Sequence, residues 1–198
     1  MLDIIGNIIT NVLTALYQPL GFAIILAFLF MFLYLFAKER GVKESFKQWF
    51  KNFKSDKTFR RIFYLAFYTA MILFRTLLNR NMWGSPLSNV IGVWGLHNSK
   101  GELTTEVIEN LILFIPFVIL LLWCFCDKLL GQSRKLCRIL WQSTKFTFLF
   151  SLSIEFFQLF LRVGTFQLSD LFYNTLGGLL GGICFWLGYI VTNKTKNK

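Results

Sequence analysis

Apolar residues run along this chain in five blocks long enough to form membrane-crossing helices, separated by polar or basic segments. A spanning helix needs about 20 mostly apolar residues, with a range of about 17–25. The blocks are Leu20–Phe36, Ile62–Leu78, Val107–Cys126, Phe146–Leu161 and Phe172–Val191, the fourth with room to begin near Leu140. Ahead of them, Asp3, Asn7, Thr10, Asn11, Thr14 and Gln18 recur at helical spacing, with Ile4, Ile5, Ile8, Ile9, Val12, Leu13, Leu16 and Tyr17 on the other face. That pattern suits a helix over residues 1–19 lying in the membrane interface and ending at Pro19. Without a basic n-region it is not expected to be a cleavable secretory signal. The pattern predicts an all-α fold, a polytopic transmembrane helix bundle of about five spans, as a single domain over residues 1–198.

Composition removes the soluble and disordered classes. The chain is 55% apolar and 16% charged, against about 45–50% and about 25% for an average globular domain, and a disordered chain needs low hydrophobicity. Four cysteines in 198 residues make no disulfide framework, and the Cys124-x-Cys126 pair has no neighbouring His or Cys that would make it a zinc site. The net charge of +11 is distributed unevenly. Nine basic residues lie in Lys38–Arg61, five in Lys128–Lys145 and three beyond Val191, so 17 of 21 fall on one side of a five-span topology. Cytoplasmic loops carry the excess of Lys and Arg, so the expected orientation is N-out/C-in, with 38–61 a basic cytoplasmic loop. Its cations alternate with Phe46, Trp49, Phe50 and Phe53, the pattern of a basic amphipathic helix on an anionic leaflet. No nucleic-acid-binding signature accompanies the charge. The loop Asn79–Glu106 is then external, hugging the headgroup layer through Trp83 and Trp94, and its His97 reads as a surface residue.

Ionisable residues inside spans are costly and mark a functional site or a buried pair. Ser151, Glu155, Gln158 and Arg162 share one helical stripe, as do Asp170, Asn174, Gly177 and Gly181. Arg75 and Asn79 stand one turn apart with Arg80 beside them, and Glu106, Glu109 and Asn110 open the third span. Under the predicted topology all of these lie in the outer half of the membrane, the inner halves being almost purely apolar. One polar pocket open to the outside is the expected result. Gly177-x-x-x-Gly181 and Gly178-x-x-x-Gly182 allow close helix approach, read here as packing within the bundle.

Several of these segments carry a resemblance: Asn110-Leu-Ile-Leu-Phe-Ile-Pro116-Phe, Ser153-Ile-Glu155-Phe-Phe-Gln158, Arg162-Val-Gly-Thr-Phe and Asp170-Leu-Phe-Tyr-Asn174-Thr-Leu-Gly177-Gly. In this order and separation they resemble the VanZ-like family, most strongly over residues 109–182. The resemblance implies a bacterial plasma-membrane protein of the cell envelope that lowers susceptibility to teicoplanin and related lipoglycopeptide antibiotics. Gln167 and Ser169 stand where family members often have acidic residues, so no metal and no cofactor is carried over to Asp170. The family's Asn-x-x-Pro element before the third helix is poorly matched around Asn89.

Two function classes follow, with a structural alternative. In the first the protein binds a membrane lipid, a lipid-linked cell-wall precursor or the lipoglycopeptide itself, with Arg75, Arg80 and Arg162 holding an anionic group. In the second it is a membrane enzyme on such a lipid, with Glu155 or Asp170 as acid or base. In the third these carboxylates only neutralise the arginines and hold the helices together. No nucleophile–base pair or phosphate loop is recognisable. The oligomeric state is open.

Overall fold

A computed structural model describes residues 29, 33, 36–78, 84–95, 105–131 and 134–196. The expected interfacial helix over 1–19, most of the first span, Asn79, Arg80 and His97 lie outside the described residues. Residues 29, 33 and 36–40 are helical, and five helices follow: α1 (Val42–Ser55), α2 (Lys57–Leu73), α3 (Glu106–Leu130), α4 (Leu136–Leu161) and α5 (Leu168–Lys196). A π-helical turn, Phe74–Leu78, continues α2. No strand occurs among the described residues. Among the described residues, three stretches are long and apolar enough to cross a membrane: Glu106–Leu130, Leu136–Leu161 and Leu168–Thr192.

Local chemistry sets the ends of these helices. Gly41 enters α1 with φ +82, a conformation that suits a residue without Cβ. Asp56 is extended (φ −98, ψ 113) and so breaks the helical run between α1 and α2. Its carboxylate accepts from the amides of Thr58 at 2.7 Å and Phe59 at 3.3 Å, capping two of the four N–H groups that a helix start leaves unpaired. At the end of α3, Arg134 donates to the Gly131 and Cys126 carbonyls and pairs with Asp127, closing the corresponding carbonyl end.

The helices outrun the apolar blocks that predicted them. The third expected span, Val107–Cys126, becomes Glu106–Leu130, the fourth begins at Leu136, and the fifth begins at Leu168. Polar residues at a membrane boundary end an apolar run but do not end backbone hydrogen bonding, so composition underestimates helix length.

Helix α5 lies between α3 and α4, and its two glycine pairs explain how. A Cβ on Gly177 would press into the carbonyl oxygen of Leu111 on α3, and one on Gly181 would stand 2.7 Å from the carbonyl oxygen of Ile115. One position along, a Cβ on Gly178 would stand 2.5 Å from Thr147 Cβ and one on Gly182 2.9 Å from Ser143 Cβ, both on α4. The two motifs therefore serve two different neighbours within the bundle, as the spacing predicts. Lipid offers no hydrophobic force between apolar helices, so close backbone approach supplies the attraction.

Apolar packing fills the space between the helices and α2. Phe117 stacks on Phe150 with ring centroids 4.8 Å apart, and Phe114 meets Phe117 edge-on at 6.0 Å. Ile72, Val118, Leu122, Leu130, Ile139 and Ile154 complete this buried cluster. Phe67, Met71, Phe148, Phe156, Phe157 and Phe160 are exposed instead. The bundle thus presents apolar side chains outward while burying polar ones, the reverse of a soluble domain and the arrangement expected in a bilayer.

Candidate functional site

Polar side chains from four elements meet at the end of the bundle formed by the finish of α2 and α4 and the start of α3 and α5. Asn110 on α3 donates through Nδ2 to Asp170 Oδ1 on α5 at 2.8 Å. One turn further along α5, Asn174 Nδ2 donates to Ser151 Oγ on α4 at 2.9 Å. Glu155, a turn beyond Ser151, accepts the backbone N–H of Gln167 at 2.8 Å through Oε2. Gln158 Nε2 donates to the Thr76 carbonyl in the π-helical turn at 2.8 Å. Asn110, Ser151, Glu155, Gln158, Asp170 and Asn174 are all buried. Buried polar groups are costly unless hydrogen-bonded, and each pair here joins two different elements, so the cluster ties the bundle's end together. Among the described residues, three buried oxygens remain without a hydrogen-bond partner: Thr147 Oγ1, Gln158 Oε1 and Asn174 Oδ1.

The rim is ionic. Arg75, in the π-helical turn, pairs with Glu109 at the start of α3, and Thr105 Oγ1 also donates to Glu109. Both members of the pair are about half exposed. π-helical turns inside longer helices are frequent at functional sites, and this one turns Arg75 to the rim while Thr76 faces inward.

A described part of the connecting loop covers the cluster. Phe166 N–H donates to the Pro86 carbonyl at 3.0 Å and Leu168 N–H to the Val90 carbonyl at 2.8 Å, so residues 84–95 run along the α4–α5 turn. Gly92 (φ +76) lies so close that a Cβ there would stand 2.8 Å from Gln167 Oε1 and 2.9 Å from Ser169 Cβ. Trp94 anchors the loop, with ring centroids 5.3 Å from Phe172 and 5.8 Å from Tyr173 and its Nε1 donating to the Ile91 carbonyl.

Two expectations need correction. Helical spacing puts Arg162 on the α4 stripe with Glu155, yet α4 ends at Leu161 and Arg162 caps it in the left-handed conformation (φ 55, ψ 33). There it is exposed and makes no ion pair among the described residues. The periodicity runs one residue past the end of the helix. The half of the bundle away from the cluster is also less apolar than expected. Ser143 and Thr147 are fully buried on the same α4 face, opposite Gly182 and Gly178.

Further residues of the cluster escape sequence reasoning. Thr76, Thr165, Gln167 and Ser169 are buried, with Gln167 Nε2 donating to Thr165 Oγ1 at 2.8 Å. In the sequence Gln167 and Ser169 stand out only for lacking charge, and their burial follows from the loop lying over them. The described residues hold no group of three or more His, Cys, Asp or Glu able to bind a metal ion. The described cysteines are free thiols.

Comparison with known proteins places this architecture. A 101-residue stretch is 32% identical to Protein VanZ of Enterococcus faecium, covering 47% of this chain and 56% of that protein, so the match spans little more than half of the relative's length. No solved structure matches. The family model described as VanZ/LLP1 matches residues 5–190, which takes in every element of the polar cluster. This helical membrane protein belongs to the VanZ/LLP1 family.

Proposed function

We propose that the protein is a multi-pass protein of the bacterial plasma membrane that lowers susceptibility to teicoplanin-type lipoglycopeptides. In this reading about five spans run N-out/C-in, and the polar cluster is a pocket facing the outer leaflet. It binds there an anionic lipid, a lipid-linked cell-wall precursor or the drug. The observation that carries the reading is the convergence of Asn110, Ser151, Glu155, Gln158, Asp170 and Asn174 at one end of the bundle. Ionisable groups at membrane depth are by default functional, and 17 of 21 basic residues lie on the opposite side of the proposed topology. Arg75 is the ligand's point of entry. A guanidinium paired with an exposed carboxylate exchanges it readily for phosphate, since both fit its planar fork. The open acceptors on Gln158 and Asn174 then receive hydroxyl or amide donors.

Expression in a susceptible host should raise tolerance to teicoplanin severalfold and leave vancomycin tolerance unchanged, because the acyl tail brings the former to the plane where the pocket opens. Equal protection against both drugs overturns action at the outer leaflet. A covalently altered envelope lipid that disappears with Glu155→Gln moves the reading to the enzyme.

Orientation has its own test. With Cys124, Cys126, Cys137 and Cys184 replaced by Ser, a single Ser88→Cys should react with a membrane-impermeant maleimide in intact cells, and Ser55→Cys should not. The reverse labelling pattern refutes the outward-facing pocket.

A further inference from the structure

At the opposite end of the bundle, α1 carries one apolar face, and only part of it is used internally. Trp49 stacks on Phe53 at 5.2 Å and meets Phe59 and Phe63 of α2 edge-on at 5.9 and 5.6 Å. Phe53 also meets Phe63 edge-on at 5.4 Å. These contacts fix the rotation of α1 about its own axis. They leave Val42, Phe46 and Phe50, spaced one turn apart, exposed at 62%, 63% and 57%. At 100° per residue, Lys43, Lys47 and Lys54 border this open strip on the side away from Trp49. The acidic residue of α1, Glu44, lies away from the strip and pairs with Lys47.

A second exposed apolar face lies beyond the end of α1. Only Asp56 separates the two helices, and Phe63, Phe67 and Met71 of α2, with Phe74 of the π-helical turn, are exposed as well. The outward face of α2 is one that a bilayer would cover. The packed side of α1 meets it at Phe63, through Trp49 and Phe53.

We infer that α1 is an anionic-lipid-binding anchor: Val42, Phe46 and Phe50 insert among the acyl chains while Lys43, Lys47 and Lys54 hold lipid phosphates. Two observations name this occupant over a second copy of the chain. The strip stands beside the exposed apolar face of α2, and it is bordered by cations, which a second identical strip would repel and an anionic leaflet attracts. Lysine suits the role, because its long stem lies along apolar surface while the ammonium reaches the headgroups. The helix thereby sets how deep the bundle sits, and its charge gives that setting a dependence on lipid composition.

The test uses the full chain in lipid nanodiscs, with the four native cysteines replaced by Ser and an environment-sensitive fluorophore at Phe50→Cys, Phe46→Cys or Ser55→Cys. Ser55 is exposed on the opposite face of α1 and is the control. In discs containing phosphatidylglycerol, nitroxide-labelled lipids should quench the Phe50 and Phe46 probes at least threefold more than the Ser55 probe. In purely zwitterionic discs, or at high salt, that difference should fall by at least half. Equal quenching at the three positions in anionic discs overturns the inserted face. Undiminished quenching in zwitterionic discs overturns the role of the lysines. Lipid quenching of the Phe46 and Phe50 probes that falls as the protein concentration rises assigns the strip to a second copy, and quenching that falls only on adding RNA assigns it to nucleic acid; either result refutes the proposal.

Discussion

Asp170→Asn and Glu155→Gln are expected to abolish protection against teicoplanin while the protein still melts within about 4 °C of the wild type, the shift that about 1 kcal/mol produces in a chain of this size. The geometry gives the reason. Asp170 Oδ1 accepts from Asn110 Nδ2, and Glu155 Oε2 accepts from the Gln167 amide. An amide of the same shape keeps an oxygen for each of these bonds while removing the charge and replacing the second oxygen with an NH2 donor. If the two carboxylates instead only neutralised arginines and so held helices together, removing a charge would strand the arginine in a poorly hydrated interior, typically costing about 3–5 kcal/mol. The melting temperature would then fall with the activity. Asp170→Ala separates hydrogen bond from charge: it leaves Asn110 Nδ2 buried without its acceptor, a cost of about 1–3 kcal/mol. Arg162→Ala should leave stability unchanged, because Arg162 is exposed beyond the end of α4. Thermal unfolding in detergent beside drug susceptibility for these four variants gives the answer. A collapse in stability for Asp170→Asn or Glu155→Gln supports the purely structural alternative.

The second large effect belongs to Gly177. An alanine there drives its Cβ into the Leu111 carbonyl oxygen, 3.0 Å from the carbonyl carbon and 3.2 Å from Leu111 Cα. All three atoms are backbone, so no rotamer change relieves the clash, and α3 and α5 must separate. Overpacking typically costs about 1–3 kcal/mol where side chains can shift; with only backbone to move, Gly177→Ala should reach or exceed the top of that range. The Asn110–Asp170 bond crosses the same interface less than two turns away, so protection should be lost along with stability. Gly188 supplies the control on the same helix, since no described atom lies within 4 Å of the place its Cβ would take. Alanine is favoured over glycine in a helix by about 0.8–1.0 kcal/mol, so Gly188→Ala should be neutral or stabilising. A Gly177→Ala protein that melts with the wild type would refute the close α3–α5 approach.

Much of this is legible in the sequence, and the residues show why. An apolar run of spanning length has few alternatives in physics, so three of the expected spans appear as helices of sufficient length and apolarity. Asn110, Ser151, Glu155, Gln158, Asp170 and Asn174 stand out because a polar residue in such a run is expensive and needs a reason. The glycine spacing likewise points to close packing without naming a partner. What only the tertiary structure decides is who meets whom and where each helix stops. Periodicity carries Arg162 onto the α4 stripe because it has no knowledge of a chain reversal, and the left-handed cap takes the side chain out of the stripe. Gln167, Thr165 and Ser169 lie in or beside a turn that composition marks as exposed; residues 84–95 pair with its backbone and bury it. Ser143 and Thr147 look like incidental polar positions until Gly182 and Gly178 are seen to face them. Membrane insertion depends on hydrophobicity summed along the chain, which a sequence states directly, whereas burial of a particular polar atom depends on contacts between distant segments, which it does not.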